Sequence, residues 1–203
     1  MQSIENKIYS KICGNGCGWV FTSGDFSNLG SSSAVRISLM RLEKSEKIRR
    51  ACRGIYYYPE YSELLKIFMS PDIDRTAQAL ARKFRWRIQP SGAVALNLLG
   101  LSTQVPAKPI YLSDGPNRTY NVGGQELEFR KTTLKEADIK HYKSGLLVQA
   151  IKTFGQERMT DDAMRKIRQQ LSSAERRMIL ADAKHVSGWI YDIIRKICIE
   201  ADK

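Results

Sequence analysis

Over its first sixty residues the chain switches apolar period several times, and a turn or cap residue marks every switch. Ile4, Ile8 and Ile12 recur at four-residue spacing, which predicts one stripe on a helix opened by Ser3. The run Gly14-Asn15-Gly16-Cys17-Gly18 ends that helix, and Trp19-Val20-Phe21 follows as a short apolar strand. Thr22 or Ser23 then caps a brief helix through Phe26 and Leu29, which Gly30 terminates. Ser31, Ser32 and Ser33 offer cap oxygens to a longer helix reaching about Lys44. Ile48-Arg49-Arg50-Ala51-Cys52, a turn at Arg53-Gly54 and the β-prone Ile55-Tyr56-Tyr57-Tyr58 complete the series, which Pro59 closes. Helix, strand, helix, helix and hairpin is the order of a winged helix-turn-helix. That order excludes far more folds than any one element in it.

Beyond Pro59 the pattern changes, and we expect two domains, 1–62 and 63–203. The fold class expected is α+β, with a winged helix-turn-helix followed by a mixed domain whose C-terminal segment is helical. Pro71, Asp72 and Asp74 start a helix that Ile73, Ala77, Leu80 and Ala81 carry to about Lys83. Arg87-Ile88-Gln89 before Pro90 suits a strand, and 92–99 a small-residue helix closed by Gly100. Segments 109–112, 119–122 and 125–130, separated by Asp114-Gly115-Pro116-Asn117 and Gly123-Gly124, are expected as a β-meander within about 87–130. Helices alone are expected over 144–200, at 145–154, 161–171, 173–185 and 187–200.

Lys and Arg number 33 against 21 acids, a net charge of +12. The excess is spread along the chain, so any basic patch is assembled by folding. A charge of this sign favours polyanionic partners, nucleic acid before an anionic membrane. The longest uncharged run, 88–107, has membrane-spanning length, but its prolines, glycines and Gln, Ser, Asn and Thr side chains exclude a span. Residues 1–11 carry Glu5 and Lys7 and no apolar core, unlike a secretory signal. Cys13, Cys17, Cys52 and Cys198 are too scattered for a disulfide scaffold. A reduced, cytoplasmic protein is expected.

At ~100° per residue, Val35, Leu39 and Leu42 share the core face of the helix that follows Ser31. The opposite face carries Ser33, Arg36, Ile37, Met40 and Arg41. Apolar side chains among arginines suit a helix in the major groove, where Arg reads guanine and an aliphatic group meets thymine methyls. A solvated face, with Ile37 or Met40 packed on the second domain, is the competing reading. Lys47, Arg49, Arg50 and Arg53 crowd the hairpin. A wing would lay them along phosphates or the minor groove, whereas an ordinary edge hairpin would use them for solubility. The DNA-contacting set expected is Ser31, Ser32, Ser33, Arg36, Ile37, Met40, Arg41, Arg49, Arg50 and Arg53. Tyr56, Tyr57, Tyr58 and Tyr61 read as structural rather than base-stacking.

No reaction centre assembles. Cys13 and Cys17 lack a second ligand pair for zinc, and His141 and His185 have no metal-ligand or nucleophile spacing. The 14–18 glycine run follows a helix, where a phosphate-cradling loop would follow a strand. Gly30-Ser31 opens a nucleotidyltransferase-like signature whose paired acids are missing. We expect no enzyme, no cofactor and no metal.

From Ile4 through Gly18-Trp19-Val20-Phe21 to Arg53-Gly54-Ile55-Tyr56, the chain resembles the winged helix-turn-helix of AbiEi-type antitoxins of type IV (abortive infection) toxin–antitoxin systems. Gln89-Pro90-Ser91-Gly92-Ala93, 97–104 and Tyr111-Leu112-Ser113-Asp114-Gly115-Pro116 are similar to the second domain of single-chain relatives. The resemblance covers about residues 3–195. It implies a repressor binding inverted repeats upstream of its own operon, with base contacts from Ser33, Arg36 and Ile37 and a wing contact from Arg53. It also implies a nucleotidyltransferase toxin as functional partner, without a stable complex. A monomer or weak dimer, cooperative on operator DNA and off the membrane, is expected. The alternatives are an RNA- or nucleotide-handling protein and a protein whose basic surface docks onto the toxin.

Overall fold

In a computed structural model of the chain, which describes residues 3–132 and 139–199, the protein is mixed α+β. Helix α1 (Ile4–Asn15) begins at Ser3, whose hydroxyl accepts from the Asn6 amide, and ends at Gly16 with φ of 81°. Strand β1 (Val20–Phe21) leads to a 3-10 turn at Ser23–Phe26. Thr22 and Asp25 close that turn with a reciprocal capping box. In place of the expected helix through Leu29 there is a single 3-10 turn that ends at Phe26, with the Ser27 amide donating to the Gly24 carbonyl. Helix α2 (Ser32–Lys44) follows, then β2 (Arg49–Cys52) and β3 (Ile55–Tyr57).

The three strands form an antiparallel sheet of order β1-β3-β2, with Phe21 opposite Tyr56 and Cys52 opposite Ile55. Ile8, Ile12, Phe21, Phe26, Val35, Leu39, Leu42, Ile48 and Tyr56 make one continuous core, so all of the early elements share it. The chain then adds a hairpin, β4 (Tyr61–Ser62) and β5 (Ile67–Phe68), that the sequence pattern did not reveal. Asp72 caps α3 (Ile73–Phe84), accepting from the Arg75 amide at 2.7 Å. Helix α3 packs on β1 and β3, and Arg82 Nη2 donates to the Val20 carbonyl at 3.2 Å.

The second part of the chain supplies β6 (Ile88–Pro90), α4 (Gly92–Leu98), β7 (Ile110–Ser113), β8 (Arg118–Val122) and β9 (Gln125–Lys131). The sheet order is β6-β7-β9-β8, with β6 antiparallel and β9 parallel to β7. This corrects the expected meander. Tyr111 and Phe129 are opposite each other in register and both fully buried, so burial selects the β7–β9 pairing. Strand β8, rich in exposed polar residues, is left to an edge. Helices α5 (Tyr142–Phe154), α6 (Asp161–Gln169), α7 (Ser173–Asp182) and α8 (Gly188–Ile199) follow. The Glu200 end of the expected last helix lies outside the described residues. Leu147, Ile151, Ile167, Ile179, Ile190, Ile194 and Ile197 join Ala95 and Leu99 of the α4 segment in one core.

The chain divides into two compact units, residues 1–86 with 119–127 and residues 87–118 with 128–203. A boundary at residue 62 was expected, but α3 lies on the first sheet, and residues 63–86 group with the elements before them. The Gln89-Pro90-Ser91-Gly92 motif is a packing joint. Gln89 is buried, the Ser91 amide donates to the Ile110 carbonyl, and a Cβ on Gly92 would lie 2.0 Å from Thr153 Oγ1.

Glu175 closes the capping box of α7 with Ser172 and forms an ion pair with Lys143. The hydrogen bond from Lys143, then those from Ser172, hold its carboxyl down at about 2. A carboxyl with a depressed folded pKa stabilises above its unfolded value, and that contribution fades as pH falls through the folded one. Glu175→Gln should therefore lower Tm at pH 7, and the gap from wild type should close as pH drops from about 4.5 toward 2. A gap independent of pH in thermal melts would mean that the carboxylate's charge plays no part.

Candidate nucleic-acid interface

Helix α2 owes its position to its inner face. Val35, Leu39 and Leu42 are buried, and Ser38 is accommodated beside them by donating to the Ala34 carbonyl at 2.9 Å. The outer face is left uncovered, with Ile37 47 % and Met40 57 % exposed. Arg36 and Arg41 stand exposed beside them. Neither Ile37 nor Met40 is packed away in a core, so the face is polar and apolar at once and open to a partner.

The three serines divide their work. Ser31 is the N-cap of α2, accepting from the Ala34 amide at 3.3 Å and lying 3.2 Å from Ser33 Oγ. Ser32 and Ser33 are exposed in the first turn, where the helix dipole favours a negative group.

The arginines are not equivalent. Arg36 has no hydrogen bond or ion pair among the described residues, and the Arg53 side chain likewise has none. Arg41 lies 3.8 Å from Glu5 and is largely exposed, so that pair is weak. Arg49 lies over the Phe68 ring at 4.2 Å. Arg50 grips Glu43 through two hydrogen bonds of 2.9 and 2.8 Å. The bond to Glu43 raises the Arg50 pKa further, so the guanidinium stays charged while its donors are occupied. That fork also ties β2 to the C-terminal part of α2. A carboxylate seven residues upstream gives no local periodic signal, so Glu43 was not visible as the partner of Arg50.

The turn between β2 and β3 is anchored as well. Lys83 of α3 donates to the Arg53 carbonyl at 3.1 Å. Gly54 has φ of 76°, and a Cβ there would meet Lys83 Nζ at 2.5 Å. The left-handed backbone favours glycine at this turn, while the lysine contact is with the far end of a flexible side chain that can move aside. Lys83 and the exposed Lys44 add charge to the set and were missed because each reads as an ordinary helix-end cation.

Tyr56 and Tyr57 are buried and Tyr58 half-buried. Hydrogen bonding to Tyr9, then to Cys13, together with burial, raises the Tyr58 pKa. These rings serve the sheet. Tyr61 alone of the four is exposed. All four cysteines are free thiols, and burial pushes Cys198 up to about 11. His141 Nδ1 lies 2.7 Å from Asp182 Oδ2, and the His141 amide donates to the same oxygen at 3.0 Å. Among the described residues, no group of three or more His, Cys, Asp or Glu side chains is placed to hold a metal ion, and no helix is long and apolar enough to cross a membrane.

No curated protein matches the chain. A family model matches residues 4–179, a span that takes in both compact units except for the C-terminal end, and on that match the chain belongs to DUF6088, a family of unknown function.

Proposed function

We propose that the N-terminal elements are a winged helix-turn-helix that binds duplex DNA in a sequence-specific way. On this reading α2 enters the major groove and the β2–β3 hairpin is the wing. The observation that carries it is the outer face of α2, where Arg36, Ile37, Met40 and Arg41 are exposed together on a helix whose other face is fully seated. The sheet order β1-β3-β2 and the position of the hairpin directly after α2 support it. Ser33 and Arg36 reach base edges, Ile37 and Met40 meet thymine methyls, and Ser32 holds phosphate at the helix start. Arg53 reaches the backbone or the minor groove from the wing.

The likeness to AbiEi-type antitoxins supports a further step. The chain represses its own operon through inverted repeats and counteracts a nucleotidyltransferase toxin, with the second unit serving the antitoxin role. A gel shift with the DNA upstream of the protein's own gene tests the first part. Rescue of cells expressing the neighbouring toxin tests the second. Equal affinity for that DNA and for random duplex at moderate salt would sink the repressor reading.

Arg36→Ala should cost about 1–3 kcal/mol in operator binding and relax preference at one base pair, the signature of lost bidentate readout. Arg53→Ala should weaken binding to many sequences alike. A panel of single-base operator variants separates the two effects, and identical profiles for the two mutants would remove the helix and wing assignments together.

A further inference from the structure

The hairpin of β4 and β5 exposes more apolar surface than any other short segment of the first unit. Leu64 is 91 % exposed, and Tyr61, Leu65, Ile67, Phe68 and Met69 are each at least 40 % exposed. The strands form a two-stranded sheet with no third strand among the described residues, so both edges are available for pairing. Phe68 is held between Tyr61, with ring centroids 5.1 Å apart, and the Arg49 guanidinium, so the hairpin is structured rather than frayed. A contiguous apolar surface on an ordered element marks an interaction site.

The charges select the kind of partner. Residues 60–69 carry Glu60, Glu63 and Lys66, a net −1 within a chain of +12. With the Arg49 guanidinium stacked on Phe68 the surface is close to neutral, so its charge draws neither nucleic acid nor an anionic membrane. The tip is also self-complementary. Glu63 and Lys66 lie 2.8 Å apart in an exposed pair. Across a two-fold axis each can exchange its partner for the opposite charge of a second hairpin, which is the pattern an isologous contact requires.

We propose that the hairpin spanning 61–69 is the surface through which two copies of this chain associate, apolar tip to apolar tip, with Glu63 of each copy facing Lys66 of the other. A stable dimer buries about 800 Å² per partner, from 20–30 residues. One hairpin supplies a fraction of that, so the association is weak and reversible. It does not depend on α2 binding DNA.

Sedimentation equilibrium of the full chain, in moderate salt and without DNA, tests this up to about 1 mM, the weak end of the affinity scale. The average mass should rise from one chain toward two and level off there. Leu64→Glu with Ile67→Glu changes only exposed positions and should abolish the rise while leaving the circular dichroism spectrum unchanged. Glu63→Lys should weaken association at least about tenfold through like-charge contact. Combining it with Lys66→Glu should restore association, because the exchanged pairs re-form. A mass that stays at one chain, climbs past two without a plateau, or ignores these substitutions overturns the proposal, as does a single Glu63→Lys defect that the double exchange fails to repair.

Discussion

Operator binding should weaken about 40-fold when monovalent salt rises from 50 to 200 mM, with a log–log slope of about −2.7. The slope counts phosphates neutralised at about −0.9 each. Arg41, Arg49 and Arg53 are the three cations of the expected set that remain available to phosphate, Arg36 being assigned to a base edge. Arg50 is left out of the count because both of its hydrogen bonds go to Glu43. Glu43→Gln should release Arg50 and steepen the slope by nearly one further unit. Fluorescence anisotropy with a labelled operator duplex across a salt series reads both values. A slope near zero, or no change in Glu43→Gln, would mean that the α2 and hairpin arginines are not the phosphate contacts.

The second large effect separates two adjacent residues of one helix. Leu39 is 1 % exposed, inside the core shared by α1, α2 and the sheet. Leu39→Ala should cost about 2–5 kcal/mol of stability, combining lost transfer energy with the cavity left behind. Met40 points the other way. Met40→Ala should change stability by no more than about 0.5 kcal/mol, yet weaken operator binding by about 1–2 kcal/mol if its side chain is covered by the duplex. Urea unfolding and anisotropy titration on the same preparations measure both quantities. Comparable destabilisation by the two substitutions would make the outer face of α2 a packed surface, and the DNA-reading assignment would fail with it.

Local physics made much of this molecule legible before any coordinates. Ile8 and Ile12 share the buried stripe of α1, and Val35, Leu39 and Leu42 that of α2, because helical periodicity alone decides which side chains share a face. Arg53-Gly54 turns the hairpin, Asp72 opens α3, and Gly92 and Gly100 bracket α4, since caps and turns are short-range hydrogen-bond and backbone problems. The exposed face of α2, with Arg36, Ile37, Met40 and Arg41, was readable for the same reason.

Other features were settled by contacts between distant residues. The amide of His141 finds its acceptor on Asp182, so α5 starts at Tyr142 rather than at the expected Gly145. Arg50 finds Glu43, and the Arg53 carbonyl finds Lys83. Strand β7 takes β9 as its neighbour in place of β8, because Tyr111 and Phe129 bury each other while β8 is polar. Short strands of similar composition carry no local label of which partner they will meet. Chain periodicity determined which residues lie on which face; only the burial of those faces against one another decided strand pairing, the partners of the cations and which arginines remain available to a ligand.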